Sequence, residues 1–461
     1  MKGKTTLILL LFALAIRIIP AQESSDWRSL YDLALRNNAS LAEGENAARA
    51  AQNKWKSARQ GRGPELFFES DLSYLTNPRQ VDLSQGSLYA GGTLAPGLIF
   101  PPLPESDTSL PLTGNQWYSF RLVLEQPLIT SGKLSAQENI YRSLWESSLL
   151  NTNQKKLTIK AEILSLIHTL TYLEKILDIV SLQITAADRF VTLIRRSYDS
   201  GMTSHSDYLG AQVKAREVTL MENQIRKQQN QALLHLEYLC GLESLLPEQI
   251  NPEGLPDLLG PGETDKETLL TDTRAYSPVL QILRQNIEAA KQNKRLTRGG
   301  SYGRPDLGFQ VELDYAGGSF PFTSEEWGIS ENNVTATVGI RALLGDFGKA
   351  ASLVKEAESR ISEAEYRYRD HLEQMKRSIG EELFNQHLNR ENIAYYNSQA
   401  DDDMALATLK KESLDSGYGL EQDYLLQMIS WYSDLIYIEQ EKISLALSHY
   451  RLRTLTGVLP E

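Results

Sequence analysis

The sequence predicts an α+β chain in which two tandem repeats each supply a pair of amphipathic strands and a pair of very long helices. Three observations support this prediction. Proline, which breaks helices, is absent from 128–246 and from 322–459. A set of motifs recurs at one fixed offset along the chain. Four segments alternate between apolar and polar residues, as strands with two different faces do.

The repeat is clearest around two glycine-containing motifs. The sequence SYDSG at 197–201, followed by DYL at 207–209, returns 216 residues later as SLDSG at 413–417, followed by DYL at 423–425. Upstream the offset becomes 241, because the loop 76–116 is longer than its counterpart 317–332. A period this long indicates duplication of a whole unit of helices and a β-hairpin rather than a solenoid.

The predicted signal peptide, the two repeats and the linker between them divide the chain into four parts. Residues 1–21 form a predicted signal peptide, since Lys2 and Lys4 precede an apolar run and Ala21 offers a cleavage site. The first repeat covers 22–241, a Pro-rich linker 242–263 and the second repeat 264–461. The predicted helices and strands are 27–60, 65–75, 117–126, 133–198 and 205–241, then 265–297, 306–315, 333–342, 349–415 and 420–457.

The four predicted strands carry apolar side chains on one face and polar or charged side chains on the other. In the first strand, Leu66, Phe68 and Leu72 alternate with Glu69 and Asp71. About ten alternating residues suit a tilted membrane strand with a wet lumen on its other side. Alternation alone fits two soluble hairpins as well, and the long helices that follow each pair favour the membrane. Aromatic residues near the strand ends resemble an interfacial girdle: Tyr74, Trp117, Tyr118, Tyr315, Phe320, Phe322 and Trp327.

Four strands per chain cannot close a membrane barrel, and membrane strands leave no open edge. Two, three or four chains would give 8, 12 or 16 strands. Because a barrel of about eight strands has an interior filled by side chains, a conduit favours more than two chains.

The long helices are predicted to form coiled coils joined by tight turns. As a helix, 133–198 would be about 100 Å long, and its apolar residues recur at the spacings of four and three that are typical of a coiled-coil seam. Gly201 and Gly417 are expected to adopt a positive φ at the two turns. The seam is Ile159, Ile163, Leu166, Leu170, Leu173, Leu177, Val180, Ile184, Ala187, Val191, Ile194 and Tyr198.

The two turns differ in the residues that begin the next helix. Ser204 and Asp207 predict a capping box after the first turn, whereas Leu420 stands in the place of the serine before Asp423. Helix capping is the preferred role for Asp207. For Asp423, capping and a role in a pore stay open.

Together these features resemble the TolC-type outer membrane efflux family over essentially the whole mature chain. The matching segments are NNASL at 37–41, the Gly-Lys pairs at 132–133 and 348–349, and the two turn motifs. The resemblance implies a homotrimer with a 12-stranded transmembrane barrel in outer membrane lipid and a periplasmic tunnel of coiled-coil helices.

The resemblance also implies partners for the helical tips. A periplasmic adaptor (membrane fusion protein) would dock there and link the channel to an inner-membrane pump or ABC-type transporter. Asp423 matches an acidic residue that rings the tunnel entrance in some relatives. The expected docking residues are Gly201, Met202, Ser204, Asp207, Gly417, Tyr418 and Asp423.

Three positions depart from the family pattern and leave the gate contacts open. Leu414 replaces an aromatic latch, Gly419 replaces a basic latch residue, and Leu426 stands where a second acidic ring can occur. The role of the loop 76–116 is open too.

The leading hypothesis is a passive export conduit, serving either small-molecule efflux or type I protein secretion. A periplasmic coiled-coil scaffold without a pore is the alternative. The net charge of −12 argues against a nucleic acid partner. Scattered histidines and the lack of a phosphate-binding or nucleophile motif argue against an enzyme. No cofactor is expected, and six methionines give metal efflux no support.

Overall fold

The computed structural model describes residues 26–74, 76, 80–95, 98–111, 116–258, 265–301, 303–317 and 332–459. The predicted signal peptide, the linker end 259–263 and the aromatic residues Phe320, Phe322 and Trp327 lie outside these ranges.

The described strands fall into three sheets. They are β1 (Glu65–Tyr74), β2 (Gln80–Leu83), β3 (Gly92–Ala95), β4 (Leu98–Phe100), β5 (Thr108–Pro111), β6 (Gln116–Ile129), β7 (Asp306–Gly317) and β8 (Asn332–Arg341). The main sheet is antiparallel in the order β1–β6–β7–β8. All four predicted strands are therefore present, and they lie side by side.

The register of the main sheet places the apolar residues of all four strands on one face. Leu122 lies between Phe68 on β1 and Leu313 on β7, which in turn pairs with Val334 on β8. This face is largely open within the single chain, and Phe68 and Val334 are 68% and 64% exposed. Tyr118 departs from the predicted girdle because it is buried, with its ring near those of Phe120 and Tyr315.

The segment predicted as one loop, 76–116, contains short strands of its own. β2 pairs with β5, and β3 pairs with β4 inside them, with an isolated bridge between Tyr89 and Leu103. The described parts of this loop therefore form nested antiparallel pairs rather than an irregular segment.

Eight helices are present in the described ranges. They are α1 (Trp27–Asn37), α2 (Ala39–Gln60), α3 (Lys133–Asp199), α4 (His205–Cys240), α5 (Lys266–Tyr276), α6 (Pro278–Gly299), α7 (Lys349–Asp415) and α8 (Glu421–Thr456), and Pro247–Gln249 forms a 3-10 turn in the linker. α3 and α7 each have 67 residues, and α4 and α8 each have 36. Both pairs start 216 residues apart, the offset found in the sequence.

The predictions of single helices over 27–60 and 265–297 are wrong, because each is broken once. Asn38 ends α1, and its carboxamide oxygen accepts the N–H of Leu41 at 3.2 Å, which caps α2. Ser277 ends α5 because Pro278 follows it, and a residue before proline disfavours the helical conformation.

The contacts divide the chain into two compact units, and each unit draws on both repeats. One comprises Ala51–Leu144 and Ile287–Glu363 and contains the main sheet. The other comprises residues up to Ala50, Trp145–Asn286, and residues from Ala364 onward, and contains most of the helical residues.

The largest apolar cluster lies in the helical unit. It joins Leu30 of α1, Leu41 of α2, Ile163 of α3, Leu236 of α4 and Tyr450 of α8. Burial of such side chains contributes roughly 1.5–3 kcal/mol each, so this cluster stabilises the packing of α1 to α4 and α8 against one another. Over the part of the chain that is described, none of the helices has a stretch apolar and long enough to cross a bilayer.

Candidate functional site at the helical tips

The first tip, between α3 and α4, is a glycine-terminated helix end. Gly201 has φ of 72°, the positive value expected from the sequence. The N–H of Met202 donates to the carbonyl of Ser197 at 2.8 Å, as in a Schellman motif. This bond satisfies a carbonyl that the end of α3 would otherwise leave without a donor.

The second tip, between α7 and α8, repeats this motif and adds a closer contact. Gly417 has φ of 78°, and Tyr418 donates to Ser413 at 3.0 Å. Gly419 also donates to Ser413, at 2.9 Å. A Cβ at Gly419 would lie 2.7 Å from the backbone nitrogen of Leu414. The basic latch residue of the family therefore has no room at this position in the observed turn.

The two tips differ in how the next helix begins. The Ser204 hydroxyl accepts the N–H of Asp207 at 3.1 Å and donates to the Asp207 carboxylate at 2.7 Å. The predicted capping box is thus present. Leu420 offers no side-chain cap, and only its carbonyl accepts the N–H of Asp423, at 3.1 Å.

The carboxylates of Asp207 and Asp423 are accordingly in different situations. Both side chains are exposed, but that of Asp207 is held by Ser204. The carboxylate of Asp423 makes no hydrogen bond or ion pair with any residue that the structure describes. It is therefore free to interact with ions or with another chain.

Both tips present apolar and aromatic surface. Met202 is 77% exposed and Tyr418 is 93% exposed. At the first tip, the rings of Tyr198 and Tyr208 are stacked with their centroids 5.6 Å apart, and His205 lies 5.3 Å from Tyr198. Exposed aromatic and methionine side chains at one end of a helical unit are typical of a docking surface.

An apolar cluster just behind the tips ties the two hairpins together. Phe190 and Ile194 of α3, Ala211 of α4 and Leu425 of α8 form it, and Leu426 packs against it. The leucine at the place of a second acidic ring is thus partly buried in a core. A carboxylate there would be desolvated, which is unfavourable without a partner.

Polar contacts extend the connection between α3 and α8. The Gln183 amide donates to the carbonyl of Ile429 at 3.0 Å and to the hydroxyl of Ser433 at 2.8 Å. Nearer the tip, Arg189 forms an ion pair with Glu421. Polar contacts from α3 of the first hairpin therefore stabilise the position of the first part of α8.

One pair of carboxyl groups was missed by the sequence reasoning. Asp434 of α8 is only 3% exposed, and its side chain lies close to that of Asp403 of α7. The offset of 216 could have revealed it, because the equivalent residues of the first repeat are Ala187 and Val218, two buried apolar side chains.

Two histidines with a lowered pKa lie in the helical unit and not at the tips. Burial lowers the pKa of His168 to about 4, and burial together with nearby Arg453 lowers the pKa of His449 to about 4. His168 packs near the ring of Tyr450, at 5.7 Å. In the described ranges, no three His, Cys, Asp or Glu side chains are placed to hold a metal ion together.

Solved structures share this architecture. A membrane protein from Pseudomonas aeruginosa has 16% identity and a TM-score of 0.74, with 94% of this chain and 90% of that chain covered. The outer membrane protein VceC from Vibrio cholerae has 16% identity and a TM-score of 0.71, covering 94% and 96%. The outer membrane channel CmeC from Campylobacter jejuni has 14% identity and a TM-score of 0.71, covering 94% and 85%. At these identities the likeness establishes the α+β fold.

A comparison of the sequence with known protein families gives a match. Residues 30–242, which make up nearly all of the first repeat, match the family described as outer membrane efflux protein. No curated protein matches the sequence. The resemblance to the TolC-type outer membrane efflux family that the motifs predicted is confirmed.

Proposed function

We propose that the chain is one subunit of a trimeric outer membrane channel that serves as the exit duct of a multipart export system. In this proposal the main sheet contributes four strands to a 12-stranded barrel, and the helices form a periplasmic tunnel. The outer membrane efflux family consists of transport proteins, and the family match supports the channel class over an enzyme.

The observation that carries the proposal is that the main sheet has one apolar face and one charged face. The register gathers the apolar residues of four strands on one face, and Phe68 and Val338 remain 68% and 64% exposed there. Ion pairs occupy the other face, where Arg121 contacts Glu312 at 2.6 Å. Apolar and charged faces of this kind suit a wall between lipid and water.

The strand order supports closure by several chains. β1 and β8 are the two outer strands of the main sheet. In lipid their outward backbone groups need partners, because no water is available there. Pairing of β8 with β1 of a neighbouring chain would supply them, and three chains of four strands enclose a conduit.

The tips are the proposed docking site for a periplasmic adaptor. Gly201, Met202, Ser204 and Asp207 form the first docking element, and Gly417, Tyr418 and Asp423 form the second. In a trimer, three copies of Asp423 would approach one another at the tunnel mouth. Such a ring attracts cations and repels anions.

A pair of substitutions on β8 tests the membrane assignment. Lysine at Val338 on the apolar face would face lipid and cost about 2–4 kcal/mol, whereas lysine at Thr337 on the polar face would face water. Val338→Lys should therefore lower the yield of heat-sensitive oligomer in the outer membrane fraction, and Thr337→Lys should not. A wild-type chain recovered as a soluble monomer, or equal yields from both variants, would rule out the barrel.

The cargo depends on the transporter that the adaptor recruits, so efflux and type I secretion stay alternatives. Crosslinking from an introduced photoreactive residue at Tyr418 would capture the adaptor. The transporter recovered with it distinguishes a pump from an ABC-type secretion system. Absence of any adaptor in the crosslinked product would remove the tips from the mechanism.

A further inference from the structure

Three pairs of facing positions distinguish the second helical hairpin from the first. Tyr396 of α7 stacks on Tyr437 of α8, with ring centroids 5.1 Å apart. One heptad further along α7, Asp403 lies close to Asp434 of α8. One heptad beyond that, Lys410 donates a hydrogen bond to Gln427 of α8 at 2.7 Å. The α7 residues are seven apart, the repeat of a coiled-coil seam. The seam of the second hairpin is therefore polar at three successive levels.

The first hairpin is apolar at the equivalent levels. Moving back by 216 residues gives Val180, Ala187 and Ile194 on α3, facing Met221, Val218 and Ala211 on α4. Val180, Val218 and Met221 share one apolar cluster, and Ile194 and Ala211 share another. The difference between the two hairpins thus lies in the chemistry of the seam and not in its geometry.

The carboxyl pair is the middle level of the polar seam. Asp434 is 3% exposed, and alanines one turn to either side of Asp403, Ala400 and Ala407, are buried as well. The Oδ2 atoms of Asp403 and Asp434 are both buried without a hydrogen-bond donor. Two buried carboxylates this close repel each other, so the closed seam favours a form in which one of the two carries a proton.

The other charged groups along this seam are engaged elsewhere. Lys410 binds Gln427, Lys442 of α8 is paired with Glu439, and α3 presents the neutral amide of Gln183 to Ser433. The shift in the pKa of Asp434 is consistent with this arrangement. Burial, and then the nearby charge of Asp403, raise this pKa from 3.8 to about 6.

We infer that the Asp403–Asp434 pair is a proton-operated clasp that holds α7 against α8 in acid and releases them at neutral pH. When one proton is present, the two carboxyls share it and the seam closes. When both groups are ionised, two buried like charges repel across the seam. The first hairpin, with Ala187 and Val218 at these places, keeps its seam at every pH.

The direction of the pH effect follows from linkage. The folded helices bind a proton more tightly than the unfolded chain does, so the stabilisation is full below pH 3.8 and is lost as the pH rises through about 6. One pH unit below a pKa, the protonated form is in about tenfold excess. The equilibrium constant for closure of the seam between α7 and α8 should therefore be about tenfold larger at about pH 5 than at about pH 7.5.

The experiment uses the full-length oligomer at about pH 5 and about pH 7.5. Its first readout is the thermal unfolding midpoint, which does not depend on the proposed channel function; its second is the open probability in planar bilayers, which rests on that function. Wild type should unfold at a higher temperature and open less often at the lower pH. If no oligomer conducts at any pH, the channel proposal fails while the midpoints still decide the clasp.

Two sets of substitutions separate the clasp from ordinary packing. Asp434→Asn keeps the shape and places an amide donor against Asp403, so it should resemble the acid form at both pH values. Asp403→Ala with Asp434→Val introduces the residues of the first hairpin and should remove the pH difference. Asp423→Asn, at the exposed tip, should keep the difference in midpoint.

Two results would overturn the clasp. One is a wild-type pH difference that survives in Asp434→Asn or in the double variant. The other is loss of the difference when a chelator is added to wild type, because the carboxyls would then be sharing a divalent cation and not a proton.

Discussion

The first and second helical hairpins have the same length and turn at the same position, yet they are held together differently. The first has an apolar seam and a complete capping box at Ser204 and Asp207. The second has a polar seam and no side-chain cap at Leu420. Equal backbone geometry therefore coexists with different seam and cap chemistry, and under the proposed clasp the second hairpin is the one that separates more easily.

The largest expected difference between the hairpins lies at Gly419. Alanine there would bring a Cβ to 2.7 Å from the backbone of Leu414, and such overpacking costs about 1–3 kcal/mol. Thr203 occupies the equivalent place in the first tip, so Thr203→Ala is the matched control. Hydrogen exchange of the Tyr418 amide should accelerate in Gly419→Ala. Equal exchange in the variant and in wild type would show that the turn adapts.

The two turn glycines should respond alike. Gly201→Val and Gly417→Val each force a side chain into a positive φ, at a cost of about 1–2 kcal/mol. Export should weaken in both variants while the oligomer still assembles, because the change is confined to the tips. Unchanged export with normal adaptor crosslinking in both variants would contradict a role for the turns.

Capping can be exchanged between the hairpins. Ser204→Ala should destabilise the start of α4 by about 1 kcal/mol, and Leu420→Ser should stabilise the start of α8 by up to about as much. Protease cleavage at each tip measures local opening. Cleavage should rise at the first tip in Ser204→Ala and fall at the second in Leu420→Ser; changes in the reverse sense would mean that caps do not control the tips.

The smallest effect on stability, and the most specific one on conduction, is expected at Asp423. Its carboxylate is exposed, so Asp423→Asn should change stability by less than about 0.5 kcal/mol. Cation preference and block by multivalent cations should fall in planar bilayers. Asp207→Asn should do the opposite, weakening the cap and sparing selectivity. A wild-type conductance profile for Asp423→Asn would assign both aspartates to capping.

The long elements were predictable because their signals extend over many residues. The predicted limits of α3, α4, α7 and α8 agree with the structure to within about two residues, the usual uncertainty of helix ends, because glycine turns divide two long proline-free stretches. The alternation of apolar and polar residues in β1, β6, β7 and β8 predicted which residues share the apolar face of the main sheet, and the strand register agrees with it. A signal repeated over ten or more residues outweighs any single local preference.

The features that sequence reasoning missed depend on one residue or on two distant ones. The breaks at Asn38 and Ser277 each follow from a single cap or proline inside a helical pattern. The short strands in 80–111 lack length for a periodic signal. In the sequence, Asp403 and Asp434 have the character of exposed helix residues. Only the antiparallel pairing of α7 and α8 brings them together.

The identical lengths of the paired helices have a consequence for how this chain tolerates change. One added residue rotates everything beyond it by about 100° about the helix axis, which would turn Ala187 or Asp403 away from its seam. No such rule applies to the connections between strands, where the two halves already differ in length. Epitopes or reporter peptides for tracking the protein therefore belong between β2 and β5, whereas within α3 or α7 only whole heptads, added in both halves together, would keep the two seams aligned.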